Sequence, residues 1–192
     1  MEIGYNYSRI NLNFKFLKKN QMKKYIVLLL AITFALPACA QEAETSTETS
    51  TFYFIRHAEK DRSDKENRNP NLTEQGILRA AKWSIVLQHV DFDAVYSTDY
   101  NRTKQTAQPT AEKNGLELTM YDPRNLDGKA FILENKGKKV LVVGHSNTTP
   151  AFVNAVIGKE KHAQIDDNNN ANLYIVTVSP SGEISDVVLV IN

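Results

Sequence analysis

Two stretches of this chain limit most strongly what it can fold into. Phe52-Tyr53-Phe54-Ile55 stops abruptly on Arg56-His57-Ala58-Glu59, and Val140-Leu141-Val142-Val143 stops on Gly144-His145-Ser146. Short runs of aromatic and β-branched residues read as buried strands, and the sudden polar ending marks each strand's carboxyl end. In open α/β sheets that edge is where ligands bind. Laid parallel, the two strands would bring His57 and His145 together at one edge.

The rest of the chain alternates between strand and helix signals. Thr73 can cap a helix running through Gln75, Leu78, Ala81, Trp83 and Leu87, with Glu74 placed well against the amino-terminal dipole. A strand over residues 93–97 follows, then a helix over 102–113 that contains Pro109 and is ended by Asn114-Gly115. Next come a strand over 116–121, a turn at Asp122-Pro123-Arg124-Asn125, and a short helix over 130–135. After the Val140 strand the pattern gives a helix over 149–157 closed by Gly158 and a polar loop over 166–170. Two closing strands over 173–178 and 184–191 complete it. Such alternation predicts an α/β domain, a three-layer sandwich with a mostly parallel central sheet.

With 192 residues, 42% of them hydrophobic, the chain suits one sizeable domain. Its formal charge of +1 conceals an uneven distribution. The first 25 residues hold six of the 23 Lys/Arg and only Glu2 among the 22 Asp/Glu, so 17 basic residues face 21 acidic ones beyond them. A mildly acidic remainder argues against a nucleic-acid surface. The single cysteine, Cys39, excludes an internal disulfide and a thiolate zinc site within the monomer.

Met22-Lys23-Lys24 leads into a short apolar run over residues 25–36, the pattern of an export signal, with Met22 a plausible initiator in place of Met1. Leu36-Pro37-Ala38-Cys39 resembles a bacterial lipobox, which would lipidate Cys39 and give a periplasmic, outer-membrane or cell-surface lipoprotein. The alternative is cleavage before Gln41, releasing a soluble protein. Residues 41–51 are rich in Glu, Thr and Ser and read as a flexible tether. The expected organisation is therefore an extension and export signal over 1–40, a tether over 41–51 and a folded domain over 52–192.

Arg56 and His57 end the first strand, Arg102 opens the helix after the second, and His145 ends the fourth. Two guanidiniums, two imidazoles and helix amino termini converging on one edge make an anion site, and tetrahedral phosphate suits it best. Arginine forks bind phosphoryl oxygens bidentately, and a histidine nitrogen can attack phosphorus.

These residues resemble the histidine phosphatase superfamily, also called phosphoglycerate mutase-like. Its Arg-His-Gly/Ala element is matched by Arg56-His57-Ala58-Glu59. Its strand-end serine, arginine and Thr-Ala are matched by Ser97, Arg102 and Thr106-Ala107, and its third element by Val142-Val143-Gly144-His145-Ser146. Leu72-Thr73-Glu74-Gln75-Gly76 resembles the family's helix-opening Leu-Thr-x-x-Gly. The resemblance implies a phosphoglycerate mutase-like fold of the small-phosphatase branch and a phosphomonoesterase acting on a small phosphate ester or phosphoramidate without metal or cofactor. It makes His57 the phosphorylated nucleophile and Arg56, Arg102 and His145 the clamp around the phosphoryl group. Asn147 is a further donor candidate, or simply a helix N-cap. Many members carry a glutamate acid after the third strand; here the candidates are Asp122, Asp127 and Glu59, with none singled out.

A mutase is the nearest rival, but mutases need lid segments that this compact domain lacks. A non-catalytic lipoprotein that binds phosphorylated ligands is a second alternative. A serine hydrolase fails because Thr148 stands where the nucleophile elbow needs its second glycine. His57, His89, His145 and His162 lack helical metal spacing.

Overall fold

The structure, a computed structural model, describes residues 47–192. The expected export segment, Cys39 and the first part of the tether lie outside the described residues. Strand β1, Ser50–Arg56, has its side chains alternately buried and half-buried until Phe54, after which all are buried. It lies between β4 (Lys139–Gly144), to which it is parallel, and β5 (Asn172–Val178), to which it is antiparallel. The strand starts two residues before the expected domain boundary at Phe52. Ser50 and Thr51 look like tether by composition, but Ser50 pairs with Val178 and accepts a hydrogen bond from the Gly137 N–H at 2.8 Å. Backbone pairing on both sides outweighs their polarity.

The other elements are α1 (Glu74–Val86), β2 (Ala94–Ser97), α2 (Asn101–Lys113), β3 (Leu118–Met120), α3 (Gly128–Glu134), α4 (Thr148–Ile157) and β6 (Ile184–Val190). The sheet order is β3-β2-β4-β1-β5-β6. Strands β1 to β4 are mutually parallel, while β5 runs against both β1 and β6. Strand β3 is shorter than its sequence suggests because it lies at the sheet edge with half-buried or exposed side chains.

Alternation along the strands divides the core into two layers. On one face Trp83 of α1 and Ala107 and Ala111 of α2 pack against Ile55, Val95, Leu141 and Val143. On the other, Phe131 of α3 and Phe152, Val153 and Val156 of α4 pack against Phe52, Phe54, Val140 and Val142, with the Phe131 and Phe152 rings 4.8 Å apart. This is the three-layer sandwich expected. Burying each large side chain contributes about 1.5–3 kcal/mol, so Phe52 and Phe54, fully buried, are among its principal supports.

The chain leaves β1 for β2, moves out to β3, and returns to place β4 between β1 and β2. The helices change face at that reversal, which opens a crevice at the carboxyl ends of β1 and β4. Arg56 lies opposite Gly144 in the ladder, so His57 and His145 emerge at the same step.

Candidate active site

The β1 edge is held by short polar contacts. Ala58 N–H donates to Thr106 Oγ1 at 2.9 Å, and the Thr106 hydroxyl donates to the Arg102 carbonyl at 2.7 Å, tying the end of β1 to the first turns of α2. Thr73 caps α1 by accepting from Gly76 N–H at 3.1 Å, while its own N–H donates to the Glu59 carbonyl at 2.9 Å. A Cβ on Gly76 would lie 2.2 Å from the Glu59 oxygen, so the helix can dock this closely only with glycine there. Both contacts give a physical reason for residues that the family pattern shares.

His57 is 4% exposed. Its Nδ1 lies 2.7 Å from the Ala58 carbonyl, which can only accept, so Nδ1 carries the proton and Nε2 keeps a lone pair. Burial holds its pKa down at about 3; the backbone bond opposes this, and His145, Arg102 and Arg56 reinforce it. His145 is lowered to about 4, by burial first and then by Arg102, Lys60 and Arg56. Both imidazoles are neutral at neutral pH, with ring centroids 5.5 Å apart.

Neutral His145 fits its surroundings. Arg102 Nη2 donates to Nδ1 at 3.4 Å, which assigns the ring proton to Nε2, and that N–H donates to Thr98 Oγ1 at 3.0 Å. Thr98 in turn donates to Thr103 Oγ1 at 2.9 Å. The Arg102 guanidinium lies over the Tyr100 ring, 4.5 Å from its centroid.

Arg56, 2% exposed, has its outer nitrogens occupied by the loop before β5. Nη1 donates to the carbonyls of Asp166 (2.8 Å) and Asn169 (3.0 Å), and Nη2 to Asp167 Oδ1 (2.7 Å). Asp167 Oδ2 pairs with Arg62 at 2.7 Å, and the bonds from Arg62 and Arg56 hold the carboxyl at about 2. Two donors are left over. Arg56 Nε and Arg102 Nε are buried without a hydrogen-bond partner.

Both arginines line a cavity of about 310 Å³ with His57, Lys60, Tyr100, His145 and Asn147. Orphaned buried N–H groups are rare because each loses its hydration without compensation. Two arginines with unsatisfied N–H groups, on one cavity with a histidine lone pair, suit an anionic acceptor, and a tetrahedral oxyanion can meet both together.

The structure brings Arg56, His57, Arg102 and His145 around this cavity. Asn147 also lines it and occupies the residue before α4, but its side chain makes no capping hydrogen bond. Thr148, the first residue of α4, accepts from the His145 N–H at 3.1 Å and ties the end of β4 to the helix. None of the three acid candidates lines this cavity. Asp122 is bound by its neighbour Arg124, which lowers it to about 2, and Asp127 caps α3 through the N–H groups of Lys129 and Ala130. Glu59 pairs with Arg79 at 2.7 Å through Oε1, keeps Oε2 buried without a hydrogen-bond partner, and lines an adjoining cavity of about 200 Å³ that His57 also lines.

Sequence reasoning missed Lys60, Thr98, Tyr100 and Asp167. Lys60 directly follows the Arg-His-Ala-Glu motif and could have been suspected from that proximity. Asp167 gave no local signal, because its relation to Arg56 depends on β5 pairing with β1.

This arrangement is an α/β sandwich with two arginines and two histidines around a cavity at its switch point. Residues 52–123 match the family model of the histidine phosphatase superfamily (branch 1), which covers Arg56, His57 and Arg102; His145 lies beyond the match. No curated protein matches the chain. Among solved structures, the chain is similar to mycobacterial glucosyl-3-phosphoglycerate phosphatase, with 14% identity over 76% of this chain and 99% of that one, TM-score 0.58. It is similar to the protein histidine phosphatase SixA solved with tungstate, with 18% identity over 73% and 96%, TM-score 0.60. A phosphoglycerate mutase from Bacillus anthracis gives 15% identity over 76% and 95%, TM-score 0.58. The fold is therefore phosphoglycerate mutase-like.

Proposed function

We propose that this protein is a phosphomonoesterase that works through a phosphohistidine on His57. The observation that carries this reading is the pair of unpartnered Nε–H donors of Arg56 and Arg102 beside the free Nε2 of His57. The family match and the phosphatases among the similar structures support it.

In the first step Nε2 of His57 forms a bond to phosphorus as the P–O bond to the leaving group breaks, its electron pair departing with that oxygen. The Ala58 carbonyl, accepting from Nδ1–H, stabilises the imidazolium character that develops on the ring. Arg56 and Arg102 meet the charge on the equatorial oxygens, which is the largest demand in phosphoryl transfer. Beside the bound dianion His145 takes up a proton from solvent at Nδ1, the ring nitrogen not committed to Thr98, and becomes a further donor to it. Water then attacks phosphorus, the P–N bond breaks, and phosphate leaves with His57 neutral again. The domain acts after export, a part of the proposal that rests on the sequence over residues 22–39 alone.

Rapid-quench mass spectrometry with an aryl phosphate tests the reading. A transient phosphoryl group on His57 is expected, and turnover that persists in His57→Ala would overturn it. Oxyanion binding without turnover would make the protein a phospho-ligand binder.

A further inference from the structure

Lys60 is the cation at this site that neither the motifs nor the acid–base candidates explain. It lines both the oxyanion cavity and the adjoining one, whose other walls include Glu59, Arg62, Gln75 and Asn170. Its backbone bridges to Leu72 across the start of the loop, which fixes where its side chain begins. Among the described residues, no hydrogen bond or ion pair holds its ammonium.

The protein's own surroundings are unfavourable for such a group. Partial burial first, and then repulsion from Arg102, Arg62 and Arg56, brings its pKa down. The one carboxylate that attracts it is Asp167, and each oxygen of that carboxylate is already engaged, Oδ1 with Arg56 and Oδ2 with Arg62. Glu59 is paired with Arg79. Four cations, Arg56, Lys60, Arg62 and Arg102, thus share Asp167, while Glu59 across the adjoining cavity gives Oε1 to Arg79 and keeps Oε2 buried without a partner. A phosphate dianion entering the cavity reverses the sign of that balance for Lys60, which alone has no partner to give up.

We propose that Lys60 is a third cation of the oxyanion clamp, its ammonium donating to a non-bridging oxygen of the bound phosphoryl group alongside Arg56 and Arg102. Lys60 is then a binding and catalytic residue, since the oxygen it meets belongs to the phosphoryl group being transferred and carries its negative charge through the transition state. This rests on the proposed function for its chemistry, but the oxyanion contact can be tested separately from turnover.

Titration calorimetry with tungstate on the native protein, Lys60→Met and Lys60→Arg reads the contact directly. Methionine keeps much of the apolar stem while removing the charge. A charge-assisted hydrogen bond of this kind corresponds to a loss of about tenfold or more in affinity, so Lys60→Met should bind tungstate at least about tenfold more weakly. Lys60→Arg should return to within about threefold of the native affinity, because any structural role of the stem alone would not be restored by charge. Thermal unfolding of the three proteins should coincide within a few degrees. Tungstate affinity in Lys60→Met within about twofold of native, in a protein that still melts normally, would overturn the proposal. If the native protein binds tungstate but turns over no phosphate ester, the phosphatase reading fails while the assignment of Lys60 still stands or falls on the same titration.

Discussion

Burying two neutral histidines makes the domain's stability depend on pH in a way that can be isolated. His57 has its folded pKa lowered to about 3 and His145 to about 4, against about 6.5 for an unfolded imidazole. Between these values the unfolded chain binds protons that the folded one refuses, so stability rises with pH and is lost as pH falls below about 6.5. From pH 7 to pH 5 each histidine should remove about 2 kcal/mol, the free energy of protonating an unfolded imidazole over about 1.5 pH units. The result hardly depends on where the folded pKa lies, provided that it is below about 4.5. Urea unfolding at the two pH values, on the native protein and on His57→Gln, separates this from the carboxylates, which are common to both. The native protein should lose about 2 kcal/mol more than the variant, and saturating tungstate should shrink the difference by favouring protonated rings. Equal losses in the two proteins would show that His57 is charged in the folded state and that its role as a neutral nucleophile is wrong.

Two further outcomes follow from the charges around the cavity. Asp167→Asn should tighten tungstate binding about threefold to tenfold, because Arg56 stays anchored by the Asp166 and Asn169 carbonyls while a carboxylate bonded to the same guanidinium is removed. At roughly 6 Å with a water-like dielectric, unit charges repel by about 0.7 kcal/mol, and Asp167, 62% exposed, lies near that screened limit; weaker binding in a calorimetric titration would show instead that the carboxylate positions Arg56. Asp122 and Asp127 are committed to other partners and Glu59 is tied to Arg79 through Oε1, so turnover should depend steeply on leaving-group acidity, with aryl phosphates or phosphoramidates far ahead of alkyl phosphates. A flat Brønsted plot, with a large rate loss in any one of Asp122→Asn, Asp127→Asn or Glu59→Gln, would identify a general acid.

The sequence by itself determined what is local. A run such as Phe54-Ile55 followed by Arg56-His57 reveals a strand and where it ends, because alternation and the change to polar residues are properties of adjacent positions. Thr73 as the cap of α1, and Gly158 after α4 with φ of 71°, are legible for the same reason. So was the gathering of Arg56, His57, Arg102 and His145, once parallel strands were assumed. Only the tertiary structure decided which strands pair, since every backbone offers the same N–H and C=O groups to a neighbour. It placed β4 between β1 and β2, and extended β1 back to Ser50 through contacts made on both sides. Tertiary pairing of β5 with β1 also carried the Asp167 loop to Arg56 across more than 100 residues of chain. The charge of each imidazole and the partner of each carboxylate were decided there as well, because both depend on distances through space that no spacing along the chain encodes.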